Sequence, residues 1–115
     1  MAEGTTMGSL TLTTRTEGSA VILTASGDVD LSGSPLLRQE LKKHAGKKIV
    51  VDLSAVPYMD SSGLATLVEA MQTSRKGGGQ LFLCALGDRV RSIFSIAKLE
   101  SVFKIVPSVE AALAA

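Results

Sequence analysis

The sequence predicts one α/β domain: a mixed sheet of four to five strands with helices, in the order ββαβαβα followed by a final βα. Three observations carry this. Leu10–Arg15 alternates apolar and polar residues, and Ala20–Ala25 is a nearly continuous apolar run beyond a Glu17-Gly18-Ser19 turn, as in an antiparallel hairpin. Two later apolar runs, Lys48–Leu53 and Gln80–Ala85, are separated by stretches of crossover length with helical spacing. Gly and Pro punctuate the chain between these segments, with neither an internal repeat nor a composition break. A length of 115 residues fits one ordinary domain.

Each element has its own local reason. The opening MAEGTTMGS is small and polar, which gives a flexible tail over 1–8 and a folded domain over 9–115. Gly27-Asp28-Val29-Asp30 ends the second strand, and Ser34 reads as an N-cap with Pro35 at the first helical position. Leu37, Leu41 and Ala45 then share a helix face, and His44 falls where an imidazole meets the last carbonyls. Lys48–Leu53 (KIVVDL) is apolar on both faces, as a strand covered by helices requires. Beyond a loop around Pro57 the period changes. Leu64, Leu67, Val68 and Met71 fall at i, i+3, i+4 and i+7, and Gly77-Gly78-Gly79 stops that helix behind Arg75-Lys76. Gln80–Ala85 is the next strand, and Val90, Ile93, Phe94 and Ala97 repeat the helical spacing behind Asp88. Phe103–Val106 and a helix after Pro107-Ser108 close the chain. With crossover helices between them, the later strands should run parallel.

Composition removes several functions. With 45% hydrophobic residues the chain can bury a real core, yet it has only three Phe, one Tyr and no Trp, which leaves no stacking platforms for single-stranded nucleic acid. The formal charge of +1 comes with no long basic block; Lys42-Lys43 and Lys47-Lys48 read as solvated faces, so no nucleic-acid partner is expected. The lone Cys84 sits in an apolar strand and reads as a small buried hydrophobe. His44 has no ligand-type residues around it, so neither a metal nor a cofactor is expected. No apolar run approaches a membrane span and no signal peptide opens the chain, so the expectation is a soluble cytoplasmic protein without direct membrane insertion.

One stretch, Tyr58-Met59-Asp60-Ser61-Ser62-Gly63-Leu64, is too polar for the place it occupies, between a buried strand and an amphipathic helix. A nucleophile elbow needs G-x-S-x-G; neither Ser61 nor Ser62 sits in one, and the single histidine lies on another helix. Gly77-Gly78-Gly79 is no phosphate loop, because it follows a helix and lacks a Gly-Lys-Ser/Thr ending. Helix capping accounts for one oxygen, worth about 1 kcal/mol. The stretch supplies three capping side chains, plus a glycine in the first turn that costs up to about 1 kcal/mol relative to alanine. Gly63 therefore implies the close approach of something to that backbone.

The pattern Val51-Asp52-Leu53-Ser54 … Tyr58-Met59-Asp60-Ser61-Ser62-Gly63-Leu64, preceded by Gly27-Asp28-Val29-Asp30, resembles the STAS domains of bacterial anti-sigma-factor antagonists. The likeness runs from about Leu10 to about Leu113. It implies a STAS-like fold and a phosphoprotein that switches partners to regulate transcription, not an enzyme. The resemblance makes Ser61 the residue phosphorylated by an anti-sigma factor that is itself a serine kinase. The unphosphorylated form binds that kinase and releases the sigma factor, phosphorylation reverses this, and a PP2C-type phosphatase resets the protein. It also puts Asp28, Asp30, Asp60, Ser62 and Gly63 at the partner-binding face; Asp28 stands where the family usually has Glu, a departure that bears on partner choice. The alternative within the resemblance is a STAS subunit that serves as a docking module in a lipid-transport ABC system or a stressosome. At a helix N-terminus a phosphate is compatible with the fold, because the free N–H groups and the dipole favour an anion.

Overall fold

The computed structural model describes residues 3–115. Six strands form one sheet in sequential order: β1 (Glu3–Met7), β2 (Leu10–Glu17), β3 (Ala20–Ser26), β4 (Lys48–Ala55), β5 (Gln80–Cys84) and β6 (Lys104–Val106). β1, β2 and β3 are antiparallel neighbours, whereas β3 through β6 run parallel. Helices α1 (Ser34–Lys43), α2 (Ser61–Lys76) and α3 (Asp88–Ile96) make the crossovers between parallel strands, and α4 (Val109–Ala114) ends the chain. The mixed α/β class is as expected from the sequence.

The sheet has one strand more than expected. Residues 3–7 of the supposed tail are an edge strand, with Met7 opposite Leu10 across a two-residue Gly8-Ser9 turn; residues 1 and 2 lie outside the described residues. The neighbouring hairpin closes in the same way, with Glu17 opposite Ala20 across Gly18-Ser19. Each glycine takes the positive φ that such tight turns demand.

Helices α1 to α3 cover one face of the sheet. Val21, Leu23, Ile49, Val51, Leu53, Leu81 and Leu83 meet Leu37, Leu41, Leu67, Met71, Val90 and Phe94 there, all of them buried. The other face is narrower: Ile22, Val50, Phe82 and Cys84 lie under Ala112 of α4. Cys84 is fully buried, and burial raises its thiol pKa to about 11, which suits the structural role read from the sequence.

Local details differ at the helix ends. Gly33, not Ser34, is the N-cap of α1, so Pro35 is the second helical residue; Ser34 is buried instead. His44 caps the C-terminus of α1 through its backbone N–H to Leu41 O, but its imidazole does not meet the carbonyls. Its Nδ1 is buried without a hydrogen-bond partner among the described residues, and that burial lowers the ring pKa, with Lys47 adding to the effect. Ala45 and Ala97 fall just beyond the ends of α1 and α3.

Candidate functional site: the start of α2 and the loop beneath it

β3 and β4 end side by side, and the segments that follow them stay together. Gly27 N–H donates to Ala55 O, Val29 N–H to Tyr58 O and Asp60 N–H to Val29 O, with Val29 and Met59 forming a parallel bridge. The Gly27–Asp30 segment is thereby stitched to the loop that enters α2. Two glycines make this possible. Gly27 has φ +102°, and a Cβ there would stand 2.1 Å from Ser9 O. A Cβ on Gly63 would stand 2.6 Å from Val29 O and 2.8 Å from Met59 Cγ. The close approach implied by Gly63 is therefore made by the protein's own backbone.

The polar side chains divide into those used inside the fold and those left free. Asp60 is the N-cap of α2: its Oδ1 accepts from Ser62 N–H at 2.9 Å, from Gly63 N–H at 3.3 Å and from the Ser62 hydroxyl at 2.5 Å. The Ser62 hydroxyl bond is the first cause of a carboxyl pKa below its ordinary value, and the Gly63, Ser62 and Leu31 N–H groups add to it. Ser62 Oγ also lies 3.1 Å from Ser34 Oγ. Asp30 Oδ1 accepts from Ser32 N–H and Gly33 N–H, each at 3.1 Å, which closes the turn leading into α1. Asp28 donates its N–H to Ser9 Oγ at 3.3 Å, while its carboxylate has no hydrogen bond among the described residues.

Of the residues singled out from the sequence, Asp30, Asp60, Ser62 and Gly63 thus build the site from within. Ser61, at the first helical position of α2, is exposed and its hydroxyl has no partner among the described residues. It stands on the rim of an open groove of about 460 Å³ lined by Tyr58, Leu64, Ile93 and Ile96 among others. Three of the exposed large hydrophobic residues surround this region: Leu31 at 77%, Tyr58 at 42% and Ile96 at 83% exposure. The sequence reading missed them. Leu31, an apolar residue inside a polar loop, and Ile96, off the buried face of α3, were the available signals.

The one histidine does not reach Ser61 or Ser62. His44 caps the C-terminal end of α1, whereas the opposite end of that helix meets Ser62 through Ser34. The ten residues of α1 span about 15 Å at 1.5 Å per residue. Among the described residues no group of three His, Cys, Asp or Glu side chains is arranged to hold a metal, and no helix is long and apolar enough to cross a membrane.

The start of α2 thus presents an exposed hydroxyl on the rim of an apolar groove, held by an internally satisfied turn on a small α/β scaffold. The STAS domain model matches residues 11–112, and the chain belongs to the STAS domain family. The anti-sigma-B factor antagonist of Bacillus subtilis is 34% identical over 82 residues, covering 70% of this chain and 75% of that protein. Among solved structures, an anti-sigma factor antagonist from Mycobacterium paratuberculosis superposes with a TM-score of 0.82 at 25% identity, covering 92% of both chains. The Bacillus anti-sigma factor antagonist SpoIIAA shares the fold at 15% identity in its unphosphorylated form, with a TM-score of 0.69 over 90% of this chain and 94% of its own. It has also been solved phosphorylated, with a TM-score of 0.70.

Proposed function

We propose that this chain is an anti-sigma-factor antagonist that docks on an anti-sigma factor with serine-kinase activity, is phosphorylated by it at Ser61, and is reset by a PP2C-type phosphatase. The observation that carries the reading is the isolation of Ser61: its hydroxyl is exposed and has no partner among the described residues, while the polar neighbours Asp60 and Ser62 are committed inside the turn. The relatives described as anti-sigma factor antagonists support the regulatory reading over a catalytic one, and the same reading puts the chain in the cytoplasm.

The physics of the switch follows from what already fills the helix start. The Ser62 and Gly63 N–H groups point at the Asp60 carboxylate, and Leu64 N–H donates to Asp60 O. A phosphoryl group on Ser61 finds the anion position of α2 occupied and is turned outward. It adds roughly −1.5 to −2 charges and three acceptor oxygens to the rim of an apolar groove. A partner that covers Tyr58, Leu64 and Ile96 to reach a neutral hydroxyl must then desolvate an anion, and affinity falls. Asp28, with its free carboxylate on the adjoining loop, is positioned to bear on partner choice.

The test is incubation with serine-kinase anti-sigma factors of the source genome and ATP, with the phosphate located by mass spectrometry. Incorporation at Ser61 that disappears in Ser61→Ala is the expected result. Absence of modification together with copurification of an ABC ATPase or stressosome proteins would overturn it in favour of a docking subunit.

A further inference from the structure

Among the described residues three polar ones are buried: Ser34, Thr66 and Ser74. Two of them return their protons to the carbonyl four residues earlier. Ser34 Oγ donates to Asp30 O at 2.7 Å, and Thr66 Oγ1 donates to Ser62 O at 2.9 Å. Ser74 does not. It is 2% exposed and its carbonyl accepts from Gly79 N–H at 2.8 Å, yet its hydroxyl has no hydrogen-bond partner among the described residues. Nor is that hydroxyl sealed in. The fully enclosed side-chain polar atom without a partner is His44 Nδ1, so the small exposure left to Ser74 includes its oxygen. A buried hydroxyl left open in this way calls for something to meet it.

Ser74 lines a cleft of about 50 Å³ between the C-terminal end of α2, the start of β5 and the segment that enters β6. Met71, Leu81 and Val102 make the cleft partly apolar, and Val102 is 37% exposed. Its charged residues are Arg75 and Lys104, and no acid lines it. Lys104 is drawn to the Phe82 ring, with Nζ 5.3 Å from the centroid. Arg75 forms no ion pair among the described residues. The helix end offers an anion little opposition, because Gly77, Gly78 and Gly79 N–H groups already take the carbonyls of Thr73, Arg75 and Ser74. At roughly 10–15 Å³ for each water-sized group, the space suits a few heavy atoms and falls far short of the roughly 300–1,000 Å³ of a pocket for larger ligands.

We propose that this cleft binds a short-chain aliphatic carboxylate. The stem lies against Met71, Leu81 and Val102, the Ser74 hydroxyl donates to one carboxylate oxygen, and the Arg75 guanidinium pairs with the charge. A guanidinium matches the planar carboxylate with two parallel bonds. Inorganic phosphate suits the place less well, because a strongly hydrated anion would lose water against apolar walls. The site lies at the other end of α2 from Ser61, about 24 Å away along sixteen residues at 1.5 Å each, and does not depend on the function proposed above.

Titration of the native protein with sodium 3-methylbutanoate at constant ionic strength, followed by amide NMR, tests the site. Saturable shifts at Ser74, Arg75 and Val102 are expected, with a Kd on the order of 1–10 mM for a ligand of this size. Arg75→Gln should weaken binding about tenfold and Ser74→Ala at least about threefold. The neutral isostere 3-methylbutanamide and inorganic phosphate should leave these amides unmoved. Arg75 is exposed, so Arg75→Gln should fold and decides the matter if Ser74→Ala does not. Shifts that fail to saturate by about 50 mM would overturn the proposal. So would equal binding of the amide or of phosphate, or native affinity in either folded variant.

Discussion

Two helices of this protein begin with the same device and put it to different use. At α4, Ser108 accepts from Ala111 N–H at 3.0 Å, and that single oxygen is the whole side-chain cap. At α2, Asp60 takes the same position and accepts from Ser62 N–H and Gly63 N–H. The next three residues are Val109, Glu110 and Ala111 in one helix, and Ser61, Ser62 and Gly63 in the other. α4 spends these positions on helix propensity and a favourable acid at the dipole. α2 gives them to an exposed hydroxyl, a second hydroxyl that bonds the cap and lies against Ser34, and a clearance for Val29. A helix start needs one cap; what exceeds it at α2 attaches the helix to another loop and leaves Ser61 free.

The third helical position separates the two starts most strongly. Gly63→Ala should destabilise the domain by about 1–3 kcal/mol in urea unfolding, because the new methyl meets the Val29 carbonyl, which belongs to a hydrogen-bonded backbone and cannot swing away. That loss would come despite the better helix propensity of alanine. The reciprocal change Ala111→Gly should cost up to about 1 kcal/mol, a propensity effect alone. A neutral or stabilising Gly63→Ala would show that the loop beneath α2 yields, and the clearance role would be lost.

The caps come next. Ser108→Ala should cost about 1 kcal/mol. Asp60→Ala should cost about 1–2 kcal/mol, more than Ser108→Ala, since it also strips the Ser62 hydroxyl of its acceptor. The two caps differ in pH dependence as well. The folded Asp60 carboxyl titrates below its ordinary value of 3.8, so between the two pKa values the unfolded chain binds more protons than the folded one. The Asp60 contribution is therefore fully present above the unfolded pKa and is lost as pH falls through the folded one. The difference in stability between native protein and Asp60→Asn should shrink on acidification below about pH 4. The effect of Ser108→Ala should stay flat over the same range, and parallel pH profiles for the two variants would refute the charged-cap account.

How much of this was legible in the sequence depends on whether the cause is local. The parallel strands and the faces of α1 and α2 follow from periodicity, and Ser108 as a cap follows from its place after Pro107. β1 was legible in principle. Gly8-Ser9 repeats the Gly18-Ser19 turn of the next hairpin, and Thr5-Thr6 are β-branched, but small polar composition outweighed these signals. Ser34 was misplaced as a cap because Asp30, four residues earlier, closes the turn with its own carboxylate. Gly63 was recognised as anomalous, yet nothing in the sequence says that Val29 is the body it makes room for. The contact between the Ser34 and Ser62 hydroxyl oxygens joins residues 28 apart, which no local pattern encodes.

The first helical position should give the smallest effect on stability and the sharpest division between fold and function. Val109 of α4 is half-buried against the sheet, whereas Ser61 of α2 is exposed and bonded to nothing among the described residues. Ser61→Asp adds a charge next to the Asp60 carboxylate, which costs a little, and places an acid in the first turn of a sixteen-residue helix, which gains a little. The two nearly cancel, so the melting free energy should stay within about 0.5 kcal/mol of the native value. On the function proposed above, binding to a kinase anti-sigma factor should nonetheless weaken by at least about tenfold, because the new anion stands on the rim of the apolar groove. Val109→Asp makes the opposite pairing. It buries a carboxylate beside Ile22 and Phe82 and should lower stability by well over 1 kcal/mol. On the functional side its effect should be small, because α4 lies on the opposite face of the sheet from α2. Calorimetry of both variants, with partner affinity measured at a temperature where each remains folded, decides the matter. A Ser61→Asp variant that melts early would mean that the exposed hydroxyl carries structure, against the role proposed for it.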